Sequence, residues 1–387
     1  MAKIRRLTRY MPGATLTAHL RPGHSEVLMK AAVLRAAREP LEIEDVRIDA
    51  PRPREVLVRT GACGVCHSDL HYVDGKRGIE MPAVLGHEGS GTVEAVGDLV
   101  SYVGPGDRVI TCLSTFCGHC EKCLSGRPSL CDGDDVERAS AEPPRLTRGG
   151  APITQLLNIG GFAEQMLVHE NSVVKVDDGL PFEQLALVSC GVTTGIGAVL
   201  NTAKVEAGTT VAVIGCGGVG LNCVQGAVIA GARRIVAVDT IEAKLEMARN
   251  FGATDVINAS TSDVVSSVKD LTDGGVDYSF EAIGNKWTTA QAFKMLKSGG
   301  TATVIGLFPD GETVELEGEL FIGERRIQGS SMGSNRFRID IPRYLDLYKQ
   351  GRLKLDELVS KRLELDRIND AFEEMKQGRV ARSVIVF

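Results

Sequence analysis

The sequence predicts an α/β protein with a β-rich first part and a doubly wound parallel sheet in its second part. Two textures along the 387 residues predict this fold. From Lys30 to about Asn201, short β-type runs are interrupted by Gly, Pro and Asp, which is typical of a barrel or sandwich. From about residue 205, apolar strands alternate with helical patterns of ten or more residues, which indicates βαβ units.

The first part contains the shorter elements. We expect strands where β-type residues are bounded by turn residues, at 30–34, 55–60, 91–97 and 107–111. Residues 132–160 are polar and irregular, and we interpret them as a long surface loop. Residues 1–29 are Arg-rich and lack apolar periodicity. We interpret them as an N-terminal extension, with an organelle transit peptide as the alternative.

The second part alternates regularly. Strands are expected at 209–214, 234–238, 255–257, 276–282 and 301–307. The helical patterns between them cover 218–231, 241–250, 263–271 and 286–297. Two more helices at 341–350 and 368–377 and a strand at 383–387 follow.

Composition excludes several classes of function. The chain has 50 acidic and 44 basic residues, hence a net charge of −6, which argues against a nucleic-acid partner. No run of eighteen apolar residues occurs, so we expect no membrane span. Ten cysteines in a long chain without an apolar signal core indicate metal binding or catalysis rather than disulfides.

A glycine-rich turn follows the strand 209–214. Gly215, Gly217 and Gly220 form a G-x-G-x-x-G motif whose glycines allow a tight turn, close approach of a diphosphate, and close packing of helix on strand. The diphosphate would bind at the helix N-terminus, at Gly218 and Val219. Asp239 ends the next strand, where a carboxylate can bind a ribose 2′-hydroxyl and repel a 2′-phosphate. The pattern predicts NAD rather than NADP; a helix cap is the alternative role for Asp239.

Four cysteines follow one another closely at Cys117, Cys120, Cys123 and Cys131. Four thiolates can close a tetrahedron around zinc without an open position, which is typical of a structural site. The alternatives are an iron–sulfur cluster and a disulfide pair. The gap before the fourth cysteine differs from that of the bacterial ferredoxin motif.

A second set of metal-binding residue types is scattered along the chain at Cys66, His87 and Cys190. Two thiolates and an imidazole make a three-ligand zinc site with an open position, which is the catalytic form. Such a site lowers the pKa of a bound oxygen near neutral pH. On spacing alone, buried core thiols and a core histidine remain the alternative.

From about Lys30 to Phe387 the chain resembles the zinc-dependent alcohol dehydrogenases of the medium-chain dehydrogenase/reductase family. The resemblance lies in the stretches 61–71, 86–97, 117–131, 189–195 and 211–220. It implies a GroES-like β-barrel catalytic domain over 30–191 and 332–387, with a structural zinc lobe at about 112–135. It also implies an NAD-binding Rossmann domain over 192–331, and two Zn²⁺ per chain.

The resemblance also implies roles for individual residues. Cys66, His87 and Cys190 are the expected catalytic zinc ligands. Around them, Glu88 would assist ligand exchange, Asp69 would orient the histidine, Ser68 would take the alcohol proton and His71 would pass it on. The expected cofactor contacts outside the glycine turn are His67, Thr194, Lys244 and Arg382. Leu113, Arg77 and Leu307 would line the substrate channel, whereas Cys63, Cys112, Cys216 and Cys223 would have no metal role.

The implied activity is reversible oxidation of primary alcohols to aldehydes with NAD, in a cytoplasmic enzyme. One alternative is a glutathione-dependent formaldehyde dehydrogenase, although Asp135 stands where that branch has a basic residue, with Arg138 nearby. Another is a non-catalytic dinucleotide-binding protein. The segment 132–160 is absent from the shorter tetrameric relatives, so we expect a homodimer, with a tetramer as the alternative.

Overall fold

The computed structural model describes residues 27–139, 141–176, 179–378 and 381–387. Most of the predicted N-terminal extension, residues 1–26, therefore lies outside the described residues. The first strand begins at Val27, three residues before the expected start at Lys30. Met29 pairs with Val46 and is 2% exposed, so the last residues assigned to the extension, 27–29, belong to the first strand.

Ten strands and two helices make up the first part. In chain order they are β1 (Val27–Leu34), β2 (Glu42–Ile48), β3 (Glu55–Val65), α1 (His67–Val73), β4 (Ala83–Val84), β5 (Glu88–Val96), β6 (Arg108–Thr111), α2 (Glu121–Leu124), β7 (Leu146–Arg148), β8 (Ala151–Gln155), β9 (Gln165–His169) and β10 (Val173–Lys175).

The second part begins with a long helix and continues with alternating elements. The long helix includes α3 (Phe182–Leu187) and α4 (Thr193–Gly197). Then come β11 (Thr210–Ile214), α5 (Gly218–Ala230), β12 (Arg234–Asp239), α6 (Glu242–Asn250), β13 (Asp255–Asn258), α7 (Val264–Leu271), β14 (Val276–Glu281), α8 (Lys286–Lys294), β15 (Leu296–Val304), β16 (Arg326–Gly329), α9 (Phe337–Lys349), β17 (Val359–Leu363), α10 (Ile368–Lys376) and β18 (Arg382–Val386).

A small closed barrel has the strand order β1-β2-β7-β8-β4. Two of its strands lie in 132–160, so the prediction of a surface loop there was wrong. β7 and β8 form a hairpin that pairs with β2 and β4, and it buries Leu146 and Ile153. Each strand turns so few apolar side chains inward that no alternating pattern is visible in the sequence.

A second sheet of the first part positions the candidate site. Its strand order is β10-β6-β5-β3-β18-β17, and β9 also pairs with β3. The C-terminal strand β18 runs antiparallel to β3, with Ser383 opposite Val65. This pairing carries Arg382 to the end of β3, next to Cys66, although 316 positions separate the two residues.

The long helix Phe182–Ala203 joins the two parts. Its 22 residues have the length and hydropathy to cross a membrane, but 83% of its apolar window is buried inside the fold, as in the core helix of a globular protein. Two stretches, Val188–Val192 and Ala198–Ala203, are π-helical. Such wider turns are often found at functional sites, and the first of them carries Cys190.

The second part is built on a six-stranded parallel sheet in the order β13-β12-β11-β14-β15-β16. Successive residues of β11 point to opposite faces of the sheet and pack into different clusters. Val213 packs with α5 on one face, and Ile214 packs with α7 and α8 on the other. Helices therefore cover both faces, and the predicted α/β fold with a doubly wound sheet is confirmed. The first strands, β12 and β13, are added on one side of β11, and the later strands, β14 to β16, on the other. This reversal opens a crevice at the carboxyl ends of β11 and β14.

Candidate active site

The four clustered cysteines converge. Their sulfur atoms all lie within 4.8 Å of one another, and each side chain is partly exposed. Backbone N–H groups donate to these sulfurs, for example from Cys120 to Cys117 at 3.2 Å and from Cys117 to Cys131 at 3.2 Å. Such donors stabilise thiolates, so the set fits a divalent soft metal held by four sulfurs. The described cysteines are all free thiols, not disulfides.

The three scattered ligand candidates also converge. Cys66 precedes α1, His87 precedes β5, and Cys190 lies in the first π-helical stretch. Their ligand atoms, together with a carboxylate oxygen of Glu88, lie within 4.8 Å of one another. Cys66, His87 and Cys190 are 3%, 1% and 5% exposed. The geometry thus brings the predicted set together as three almost completely buried side chains.

The imidazole of His87 shows that this set fits a metal. Its Nδ1 lies 3.0 Å from Asp69 Oδ1, while Nε2 is buried without a hydrogen-bond partner among the residues that the structure describes. A buried ring nitrogen without a partner is costly unless something binds it. Asp69 also accepts hydrogen bonds from the backbone N–H groups of Cys66 and Gly86, each at 3.1 Å. One carboxylate therefore fixes two of the three ligand segments, as carboxylates beside metal-binding histidines commonly do.

Glu88 and Arg382 lie against this set. Arg382 Nη2 lies 3.1 Å from Glu88 Oε1 and 3.4 Å from Cys66 Sγ, and both side chains are buried. Burial raises the pKa of Glu88 to about 7, although the charge of Arg382 opposes this. The hydrogen bond from Cys190 and the charge of Arg382 lower the pKa of Cys66 well below its usual value, against the effect of burial. The second carboxylate oxygen of Glu88 has no hydrogen-bond partner in the described part of the chain.

The predicted proton-transfer residues lie on α1. Ser68 Oγ is 3.7 Å from Cys66 Sγ, so its hydroxyl is next to the metal ligands. His71 is three residues further along the same helix, on the same face. Burial and the charge of Lys76 lower the pKa of His71, which favours its neutral, proton-accepting form. The order from Ser68 to His71 thus leads away from the ligands.

The glycine-rich turn has the conformation that its sequence predicts. Gly215 has a φ of +93°, a conformation that L side chains rarely adopt. At Gly220 a Cβ atom would lie 1.7 Å from the carbonyl oxygen of Gly215, so only glycine lets α5 start this close to β11. Gly217 is the N-cap of α5, and its backbone borders open space. This cradle fits a diphosphate at the helix N-terminus.

Asp239 and the predicted basic residues surround that turn. Asp239 accepts the N–H groups of Cys216 at 2.8 Å and Ile241 at 3.0 Å, so its carboxylate faces the crevice side of the turn. Desolvation lowers the pKa of His67, and the nearby charges of Arg382 and Lys244 lower it further. Arg382 and Lys244 are therefore near enough to His67 to act on it electrostatically, and their positive charges suit an anionic ligand.

Arg382 and Thr194 connect the glycine turn with the metal ligands. A Cβ atom on Gly218 would lie 2.8 Å from the Arg382 guanidinium, which also contacts Cys66. Thr194 Oγ1 lies 4.0 Å from Cys190 Sγ and 3.3 Å from Met332 Sδ. The dinucleotide cradle and the scattered ligand set thus share one crevice.

The residues expected along the substrate channel are less closely grouped. Arg77 Nη2 lies 4.0 Å from Asp310, which belongs to the loop after β15. Leu113 and Leu307 are partly buried. Asp135 pairs with His119 at 2.8 Å beside the four-cysteine lobe. Arg138 is committed to Glu55 and Asp49. The structure therefore assigns neither Asp135 nor Arg138 an unpaired charge for a substrate.

The residues that the sequence analysis left unassigned include two hydroxyls near Cys190. Ser189 Oγ donates to the carbonyl oxygen of His87 at 3.1 Å, and Thr193 Oγ1 donates to that of Val188 at 2.5 Å. Both side chains are fully buried. No motif marks them, and only their positions beside Cys190 in the sequence could have drawn attention to them. The four remaining cysteines, Cys63, Cys112, Cys216 and Cys223, are buried in hydrophobic clusters, as predicted.

Comparison with known proteins gives the family. Residues 52–178 match the alcohol dehydrogenase GroES-like domain, and residues 218–350 match the zinc-binding dehydrogenase domain. The chain belongs to the zinc-dependent alcohol dehydrogenases of the medium-chain dehydrogenase/reductase family. It is therefore an oxidoreductase that acts on alcohols with zinc and a nicotinamide cofactor.

Individual relatives carry different names. The chain is 40% identical to a probable S-(hydroxymethyl)glutathione dehydrogenase of Schizosaccharomyces pombe, over 93% of this chain and 97% of the relative. It is also 40% identical to an NDMA-dependent alcohol dehydrogenase of Amycolatopsis methanolica, over 92% of this chain and 98% of that one. The structure of benzyl alcohol dehydrogenase from Acinetobacter calcoaceticus superposes with a TM-score of 0.88, at 34% identity, covering 93% of this chain and 99% of that chain.

Proposed function

We propose that this protein oxidises primary alcohols to aldehydes reversibly with NAD, at a metal centre held by Cys66, His87 and Cys190. The contact of Arg382 with both Cys66 and Gly218 carries the proposal, because it joins the metal ligands to the dinucleotide cradle. A reaction between a metal-activated oxygen and a nicotinamide requires these two features to share a site.

Two zinc ions per chain would have different tasks. The four-cysteine lobe would stabilise its own segment, since four protein ligands leave no open position. Zinc held by Cys66, His87 and Cys190 would supply a Lewis acid that lowers the pKa of an alcohol hydroxyl. Glu88 is close enough to supply a carboxylate oxygen as a fourth ligand during exchange, and Arg382 binds its Oε1. Asp69 holds the His87 ring with Nε2 free.

The protein's own residues would handle the proton. Ser68 lies beside the ligands and accepts the proton of the substrate hydroxyl, and His71 passes it towards solvent. A histidine suits this step because its pKa lies near neutrality and the pKa of His71 is lowered further. NAD, when bound, would accept a hydride from the substrate. Thr194 would pack beside the nicotinamide ring of NAD.

The remaining cofactor contacts would fix the dinucleotide. Gly217, Gly218 and Val219 at the N-terminus of α5 would bind the diphosphate, with Arg382 adding positive charge and the neutral ring of His67 an N–H donor. Asp239 would accept hydrogen bonds from the adenosine ribose, which selects NAD over NADP. Lys244 would lie on the same side of the adenosine.

A second candidate is the oxidation of S-hydroxymethylglutathione, which the name of the Schizosaccharomyces pombe relative favours. Two observations weigh against it here. Asp135 is negative and pairs with His119, and Arg138 is buried against Glu55. A glutathione carboxylate would find no unpaired cation at either position.

The protein is further proposed to be a cytoplasmic homodimer, which a measured mass near twice 41.4 kDa would support.

A rate panel tests the proposal. Primary, secondary, aromatic and long-chain alcohols are offered with NAD or NADP, and absorbance at 340 nm is followed beside zinc analysis. We expect the highest rates with primary alcohols and NAD, and two zinc ions per chain. Formaldehyde turnover that requires glutathione would favour the second candidate. If reduced nicotinamide forms once and is not released, the cofactor is permanently bound. Turnover that resumes when an electron acceptor such as NDMA is added would reveal this.

A further inference from the structure

The three ligands of the buried centre come from three separate elements, and Asp69 fixes only two of them. Its hydrogen bonds go to Cys66, Gly86 and His87. Among the described residues, none of these bonds reaches the helix that carries Cys190. A metal binds more tightly when its ligand atoms are held at matching positions before the ion arrives. Some other contact must therefore fix Cys190 relative to His87.

Ser189 makes such a contact. It immediately precedes Cys190, and its Oγ donates a hydrogen bond of 3.1 Å to the backbone carbonyl of His87, 102 positions away in the sequence. The side chain of Ser189 is 0% exposed, so no water competes for the bond. A single buried hydrogen bond thus joins the neighbour of one ligand to the backbone of another.

The local backbone makes this link consequential. Val188–Val192 is π-helical, and Thr193 Oγ1 donates to the carbonyl oxygen of Val188, five residues earlier. Single π-helical turns have poorer hydrogen bonding than an α-helix and change the direction of the side chains they carry. Ser189 attaches this turn to the start of β5, and so fixes the position from which Cys190 projects.

We propose that Ser189 is a positioning residue that sets the separation of Cys190 and His87 and thereby the zinc affinity of the buried centre. The proposal rests on the proposed function only in taking Cys66, His87 and Cys190 as the metal ligands. Residues that orient metal ligands typically change affinity by about 10- to 100-fold. Because Ser189 acts through a backbone carbonyl, we expect the lower end, about tenfold.

The chain offers a matched control in Ser90. Its Oγ donates to the carbonyl oxygen of Phe182 at 2.7 Å, and its side chain is also 0% exposed. This bond likewise joins β5 to the long helix, but it meets the helix eight residues before Cys190. Ser90→Ala and Ser189→Ala therefore each remove one hydroxyl that links the long helix to β5 or to the residue just before it.

Zinc affinity of the full chain is measured by competition with a chromogenic chelator, together with thermal unfolding. The four-cysteine centre is identified as the zinc that Cys66→Ala protein retains. We expect Ser189→Ala to raise the dissociation constant of the buried zinc about tenfold and to leave the other zinc unchanged. Each variant loses one buried hydrogen bond, so Ser90→Ala and Ser189→Ala should lower the melting temperature by similar amounts. In Ser90→Ala, both zinc affinities should stay unchanged.

Three outcomes would overturn the proposal: an unchanged zinc affinity in Ser189→Ala, an equal loss in Ser90→Ala, or a Ser189→Ala chain that does not fold. The first two would show that the hydroxyl does not position the ligand, and the third that its role is purely structural. Failure of the proposed function looks different. A wild-type chain that binds two zinc ions but reduces no NAD with any alcohol would refute that function and leave the Ser189 comparison interpretable.

Discussion

The two cysteine-containing centres differ in how the chain builds them. Cys117 and Cys131 bound a lobe in which all four sulfurs come from one short, partly exposed segment. Cys66, His87 and Cys190 meet only because neighbouring strands of one sheet and a long helix pack together, and they are almost completely buried. A local centre depends on its own segment, whereas the assembled centre depends on the whole fold. The first is suited to stability and the second to chemistry in a dry crevice.

The largest effect is expected from Cys190→Ala at the assembled centre. Loss of one of three ligands should remove the buried zinc and lower kcat by about 10³-fold or more, because several kcal/mol of electrostatic stabilisation disappear. Steady-state kinetics and zinc analysis measure this. Cys63→Ala is the matched control, since Cys63 is an equally buried thiol outside the ligand set. A Cys63→Ala enzyme with the same loss would show that buried thiols act here through packing alone.

Cys117→Ala at the local centre should mainly affect stability. We expect one zinc to be lost and the melting temperature to fall by about 5–10 °C, because metal binding contributes to the folding of the lobe. Turnover per folded molecule should stay within about twofold. Calorimetry and active-site titration separate the two effects. A normal melting temperature with abolished turnover would reverse the roles of the two centres.

Asp239→Ala tests the dinucleotide cradle. We expect this cradle to serve the assembled centre by binding NAD, without holding a metal ion itself. Loss of the charged acceptor should raise KM for NAD about 10- to 100-fold, and reduce the preference over NADP, with both zinc ions retained. Asp255→Ala is the control, since that carboxylate forms an ion pair with Arg234 at the other end of the same strand pair. An unchanged KM would favour the alternative in which Asp239 only stabilises the turn.

The smallest effect is expected from His119→Ala, although His119 and Asp135 lie within metal-binding distance of Cys117. We expect two zinc ions to remain and the melting temperature to change by less than about 2 °C, because both side chains are exposed. The hydrogen bond to Asp135 raises the pKa of His119. The contribution of this pair to the stability of the fold is therefore complete below the unfolded-state pKa of histidine. It is lost as pH rises through the raised pKa of His119. Loss of a zinc ion in His119→Ala would indicate instead that His119 is a metal ligand.

The local features were predictable and the assembled ones were not. The glycine turn after β11 and the spacing from Cys117 to Cys131 are visible in short windows, because each is built by neighbouring residues. The strands β7 and β8 were missed because three to five residues cannot show a period. The meeting of Cys190 with His87 was expected only through the family resemblance, since spacing alone left core thiols as an alternative. The link through Ser189 had no sequence signal at all.

The difference between the centres can be tested most directly in one preparation of Cys66→Ala protein, assayed for zinc per folded chain and for alcohol-dependent absorbance at 340 nm. The account predicts one remaining zinc, a near-normal melting temperature, and no detectable turnover. Two zinc ions with a near-normal rate would contradict it, because the ligand set and the catalytic centre would then have to lie elsewhere.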